Sequence, residues 1–324
     1  MPITVRHLGP ITAPPPRPPS DNELGQIRIP CQDEILQALR AEARENELRA
    51  ALIEQRIIHS RDLECSPSGN RRVKRVVKEI QSSYRKSLDS AEKTMLEFQE
   101  RFLNRALELA GTDIIPISRN EIRRRLARLT IAVTDPIKTK VTDPEFVQNT
   151  LTIKMPVPVL AGRFFYDDFA HEALHGLAGE DYVEATVSND ATKTTQELRL
   201  CRLGLYFDVP MPNGGNILFS WLDEGLIEHL LGFFVPRCKR SENCYPDEVD
   251  IIKTLTDSEG RYRVPLRKLT EAYFANYDAS APNGKRYPEW RELNKFLPIK
   301  TLNQINRIIE EKGERAGAKW LRQG

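Results

Sequence analysis

The chain has 324 residues, 40% hydrophobic and 29% charged, and its 48 basic and 46 acidic side chains leave a formal charge of +2. That balance gives no global attraction to nucleic acid or to an anionic membrane, so neither is expected as a partner. No apolar run approaches the roughly 18 residues that span a bilayer, and MPITVRHLGPITAPPPRPPS has no apolar signal-peptide core, so a cytoplasmic address is expected.

Residues 1–30 read as a proline-rich disordered tail, because Pro14, Pro15, Pro16, Pro18 and Pro19 favour polyproline II. From 31 to 110 the pattern is helical. Ile35, Leu36 and Leu39 open one stripe, continued by Leu48, Leu52 and Ile53. After the break at Ser66-Pro67-Ser68-Gly69-Asn70, a second stripe runs through Val73, Val76, Val77, Ile80, Tyr84, Leu88, Met95, Phe98 and Phe102. Two long helices across a Pro/Gly turn predict an antiparallel hairpin, a surface on which a protein partner could dock. The basic run Arg71, Arg72, Lys74, Arg75 and Lys78 reads as its solvated face. Cys31, Cys65, Cys201, Cys238 and Cys244 are an odd, scattered set, read as free thiols.

Past 110 the texture changes. Ser118 with Glu121 is a capping box, 129–133 reads as a strand, and Asp143-Pro144 as a short helical start. Residues 150–157 alternate and are β-branched, with Pro156 and Pro158 suiting an edge strand. A helix follows over 167–177, then a hairpin of 181–188 and 195–208, a loop at 210–215 and an apolar helix over 218–234. The stretch 250–324 is mostly helical with proline-marked breaks. The expected fold is α+β: a core at 111–249 with a small mixed sheet and active-site helices, the helical hairpin before it and a helical C-terminal part after it.

Residues 171–175 read His-Glu-Ala-Leu-His. Histidines four apart stand on one helix face, where their ring nitrogens can converge on one ion. Glu172, beside that ion without binding it, is placed as the general base for a metal-activated water. A third ligand decides between kinds of site. The metzincin extension needs glycine at 178 and histidine at 181, where the chain has Ala178 and Asp181. Later, residues 221–230 read Trp-Leu-Asp-Glu-Gly-Leu-Ile-Glu-His-Leu, and an acid buried among those apolar residues needs a partner that offsets its desolvation.

This segment resembles the WLNEG segment of zinc aminopeptidases and the EGLxE helix of gluzincin metallopeptidases, and with the HExxH pentapeptide it makes the chain resemble the gluzincins. The resemblance covers the two motifs and the strand ahead of the first. It implies a zincin-like catalytic core, Zn2+ held by His171, His175 and Glu224, and hydrolysis of a peptide or protein substrate with Glu172 as base. Glu228, one turn past Glu224, would orient His171, and Asp223 would orient His175. His229 points off that face and reads as structural. An oxyanion-stabilising tyrosine downstream would be Tyr273 or Tyr277. The 150–157 strand would be the edge on which a peptide adds, bordered by Gly162, Arg163 and Phe164. Ala161-Gly162-Arg163 does not match the GxMEN exopeptidase motif, so aminopeptidase specificity is not carried over. The alternative is a catalytically silent zincin-fold scaffold or partner-binding protein, for which Glu172 would have no chemical use.

Overall fold

The structure, a computed structural model, describes residues 3–9, 26–28, 69–134, 136, 143–158, 163–189, 194–209, 216–235, 245–276 and 288–323. Strands β1 (Ile3–Gly9) and β2 (Gln26–Arg28) come first, then helices α1 (Gly69–Leu109) and α2 (Arg119–Leu126). Strands β3 (Thr130–Thr134), β4 (Glu145–Val147) and β5 (Thr152–Pro156) precede helix α3 (Tyr166–Leu177). Strands β6 (Glu180–Asn189), β7 (Thr194–Leu203), β8 (Tyr206–Val209) and β9 (Asn216–Leu218) lead into α4 (Ser220–Phe234). The rest is helical: α5 (Pro246–Thr256), α6 (Leu266–Phe274), α7 (Pro288–Phe296), α8 (Ile299–Lys312) and α9 (Glu314–Gln323). The described residues are thus mixed α and β, and mostly helical. Among the described residues, no helix is long and apolar enough to cross a membrane.

Two compact units divide the chain: Gly25–Arg101 with Leu129–Glu172, and Met1–Leu24 with Phe102–Arg128 and Ala173–Gly324. The first holds a small mixed sheet. β3 pairs parallel with β5, β2 parallel with β3, and β4 antiparallel with β5. Ile131 and Val133 of β3 and Ile153 and Met155 of β5 are buried, as the two-residue strand period requires when one face packs inward. β5 is therefore an inner strand, flanked by β3 and β4, and not the edge expected from its prolines. Pro156 is tolerated because β4 reaches only Thr152 to Lys154, while Val157 donates to the Thr134 carbonyl on the other side.

Asp143-Pro144 opens a strand, not a helix. Phe146 lies opposite Ile153, and Glu145 pairs with Lys154 at 2.9 Å across the strands, so sheet pairing overrides the local helix signal. A 3₁₀ turn at Gln148–Thr150 and a left-handed Leu151 (φ 48) then reverse the chain into β5. On α1, Tyr84, Leu88, Ala91 and Met95 are buried at three- and four-residue spacing, which bears out the second helical stripe from Tyr84 onward. Phe98 meets the rings of Tyr166 and Phe169 at 5.4 and 5.8 Å, and the Arg101 guanidinium stacks 3.9 Å from the Tyr166 ring centre. The first arm of the expected hairpin and the proline run lie outside the described residues.

The second unit carries the antiparallel sheet β1-β6-β7-β8-β9. β6 and β7 form the expected hairpin, paired from Glu180 opposite Leu203 to Asn189 opposite Thr194. The stretch read as one strand over 195–208 breaks at Gly204, where a left-handed turn (φ 56) starts β8. α4 buries Trp221, Leu222, Leu226, Ile227, Leu230, Leu231 and Phe234, apolar on nearly every side because neighbours cover it on nearly every side. Phe102 stacks on Phe234 at 4.8 Å, and α5 packs along α4.

Two buried arginines hold helix ends in this unit. Arg125 donates to the carbonyls of Leu177, at the end of α3, and of Phe274, at the end of α6. Arg202, 1% exposed, donates to the carbonyls of Gly204, Ala272 and Ala275. Except for Gly204, which lies in the turn between β7 and β8, these carbonyls belong to helix ends, where a cation meets the negative end of the helix dipole.

The Ser118 cap of α2 is present, its hydroxyl accepting from the Glu121 N–H at 3.2 Å. The Glu121 carboxylate does not complete the box. It takes a two-pronged bond from Arg124 (2.7 and 2.6 Å) and a further one from Arg125 (2.7 Å). Burial alone would raise its pKa. The bonds from Arg124 and the charge of Arg125 outweigh that and hold it at about 2, below its ordinary 4.5. A carboxyl lowered on folding stabilises above its unfolded pKa and loses that contribution as pH falls toward the folded value. Glu121→Gln is therefore expected to lower the urea midpoint at pH 7 and to leave it nearly equal to the parent's at pH 2. Parallel midpoint curves for the two proteins between pH 4.5 and 2 would refute it.

Candidate metal centre

α3 is the sequence Tyr-Asp-Asp-Phe-Ala-His-Glu-Ala-Leu-His-Gly-Leu. Asp167 and Asp168 in its first turn suit the positive end of the helix dipole. Phe169, Ala170, Ala173, Leu174 and Leu177 are all buried. So are the three polar residues between them: His171 is 2% exposed, Glu172 5% and His175 7%. Their donor atoms lie within 4.8 Å of one another, a buried group that could hold a metal ion. His171 Nε2 stands 3.9 Å from a Glu172 oxygen. Three such groups buried on one apolar helix carry a desolvation cost that a shared cation would offset.

His175 faces a carboxylate with each ring nitrogen. Nε2 is 3.5 Å from Glu224 Oε1, and Nδ1 is 3.5 Å from Asp223 Oδ2. Glu224 is partly exposed, whereas Asp223 is wholly buried. Asp223 lies in the first turn of α4 and Glu224 directly follows it, which brings the two sequence motifs together. Glu224 does not belong to the set of mutually close donors; its approach is to His175. Glu228 is buried one turn further along α4. His229 meets the Phe233 ring edge-on at 6.0 Å, and burial, then the Lys253 charge, push its pKa down.

Asp223 is itself held by the turn between β7 and β8. The Leu205 N–H donates to Asp223 Oδ1 at 2.6 Å. Gly204 is required there twice over: its φ is positive, and a Cβ would stand 2.3 Å from Asp223 Oδ1 and 2.4 Å from Tyr273 Cε2. Backbone bonds continue the linkage. Gly204 donates to Gly179 and Gly179 to Tyr273, each at 2.8 Å. The glycine after Glu224 has a comparable reason. A Cβ on Gly225 would lie 2.6 Å from the Glu248 carbonyl of α5, so the close packing of α4 on α5 needs the missing side chain.

Tyr273 is fully buried, and its hydroxyl donates to the Leu174 carbonyl at 2.9 Å. Burial, then the charges of Asp223 and Glu224, push the phenol well up, so it stays a donor anchoring α3 just before His175. Stabilising an oxyanion would require that bond to be given up. Tyr277 and Gly162 lie outside the described residues, Arg163 is exposed and Phe164 is buried.

Sequence reasoning missed the Gly204-Leu205 turn, the two arginine clamps and Asn306 of α8. Asn306 is 8% exposed, and its Oδ1 accepts from Trp221 Nε1 at 3.1 Å and from the Phe219 N–H at 3.4 Å. Only its polar character beside the buried Leu302 and Ile305 signals it. Compared with protein-family models, with curated proteins and with solved structures, the chain finds no match.

Proposed function

We propose that the chain is a zinc-dependent metallopeptidase of the gluzincin type, a hydrolase with a zincin-like core acting on a peptide or protein substrate. The observation that carries this reading is the two-sided setting of His175, with Nε2 toward Glu224 and Nδ1 toward Asp223. Two ligands bound at about 2.0–2.1 Å on a tetrahedral ion stand about 3.3 Å apart, and the Nε2–Oε1 separation of 3.5 Å fits that spacing. Two imidazoles and one carboxylate also make the donor set that suits zinc in hydrolytic sites.

His171, His175 and Glu224 would hold the ion. Bound there, zinc supplies Lewis-acid polarisation of a carbonyl and acidifies a water at neutral pH. Glu172 takes the proton from the attacking water on its carboxylate and returns it to the leaving amine. Asp223 Oδ2, 3.5 Å from His175 Nδ1, would accept that N–H, fixing the tautomer and leaving the Nε2 lone pair directed at the Glu224 side. Glu228 would serve His171 in the same way. Tyr273 keeps α3 in place through the Leu174 carbonyl.

The test is metal content after mild chelation and reloading, measured beside Glu224→Ala. One tightly held zinc per chain is expected in the parent, with retention in the variant weaker by at least about tenfold. A well-folded parent that retains no zinc sinks the reading. Zinc retained without turnover across a peptide library leaves the silent scaffold as the better account.

A further inference from the structure

The helix that brings Asp223 and Glu224 to His175 begins in an unfavourable way. Phe219, the residue before α4, is held left-handed (φ 64) although it has a Cβ, and its side chain offers no oxygen to cap the helix. Its carbonyl nevertheless starts α4, accepting from the N–H of Leu222 at 3.0 Å and of Asp223 at 3.2 Å. The orientation of this one peptide therefore sets how the first turn of α4, which ends on Asp223 and leads into Glu224, is rotated toward His175.

Asn306 holds that peptide from outside. Reaching from α8, its Oδ1 accepts from the Phe219 N–H and from the Trp221 indole N–H, the residues on either side of Ser220. Its Nδ2 donates to Glu310 Oε1 at 2.6 Å, so the amide is pinned on both faces. A buried amide spent on a strained helix start, four residues from an acid facing His175, is costly to keep for packing alone.

We infer that Asn306 is a positioning residue of the metal centre: it fixes the pose of the first turn of α4, and so the distances from Asp223 and Glu224 to His175. The inference rests on the metallopeptidase reading and adds the C-terminal helices to its machinery.

The experiment titrates the full chain with Zn2+ against a chromophoric chelator and with Co2+ as a visible-spectrum probe of ligand geometry. Asn306→Ala is expected to weaken Zn2+ binding by about tenfold or more and to alter the cobalt bands toward those of Glu224→Ala. The pair N306D/E310Q keeps the acceptor oxygen and reverses the outer bond; it is expected to restore both readouts to within about threefold of the parent. Trp221→Phe removes one donor and keeps a smaller aromatic ring in its place. It is expected to show a smaller loss in the same direction, and it carries the test if Asn306→Ala does not fold. Parent-like affinity and spectrum in both single variants overturn the positioning role and leave the metal reading standing. A parent that takes up neither ion overturns both.

Discussion

Glu172→Gln is expected to keep about one zinc per chain while slowing hydrolysis of a cleaved peptide by about 10²–10⁴-fold, the range for loss of a positioned general base. The variant separates two roles that proximity alone leaves together, because Glu172 lies within 4.8 Å of both histidine donors and could be taken for a ligand. A carboxamide can still accept a hydrogen bond, but it cannot take a proton. A ligand role predicts loss of the metal itself; a base role predicts a loaded, slow enzyme. Loss of zinc in Glu172→Gln with retention in Glu224→Ala would interchange the two assignments. The comparison is made on proteins with the same denaturation midpoint, since Glu172 is buried and its packing contributes as well.

The second large effect concerns stability. Arg202→Met is expected to cost about 3–5 kcal/mol in denaturant unfolding, because it leaves three buried carbonyls without their donor at about 1–3 kcal/mol each, partly relieved by local relaxation. The guanidinium donates to three carbonyls, and the variant leaves them facing an apolar side chain. Arg202→Lys is expected to recover little, because an ammonium on a flexible stem cannot fork among fixed acceptors. The surroundings cannot yield to compensate. Gly179 is packed so closely there that a Cβ would lie 1.8 Å from the Ala275 carbonyl and 2.8 Å from the Arg202 guanidinium. A measured loss below about 1 kcal/mol would show that water or neighbouring donors replace the guanidinium without strain.

What the sequence made legible was local. The stripe on α1, the Ser118 cap, the hairpin of β6 and β7 and the apolar α4 all follow from periodicities or turn residues within one element. The His171, Glu172 and His175 group was legible because a helix turn brings residues four apart together with no help from the fold. Asp223 is a candidate from the sequence only as an acid beside Glu224, and the structure places its Oδ2 3.5 Å from His175 Nδ1. Other features depend on partners remote in the chain. Nothing near Arg202 announces that it will meet carbonyls at Ala272 and Ala275. The prolines of β5 suggested an edge because a short partner strand, β4, could not be anticipated from Asp143-Pro144. Tyr273 was picked as a residue type downstream of the third ligand, and its bond to Leu174 depends on where α6 packs.

The bonds that hold the site close very long loops. Tyr273 meets Leu174 across 99 residues, Trp221 meets Asn306 across 85, and Arg125 meets Phe274 across 149. The two histidines are ready as soon as α3 winds, an event of microseconds or less, but ligands and anchors so distant in sequence assemble only at the slow end of folding. The His171, Glu172 and His175 group therefore exists before its surroundings do, and the Tyr273 anchor and the Asn306 contact arrive last. Under the metallopeptidase reading, an ion met early would be held by two imidazoles alone, and metal selection would be a late step of folding.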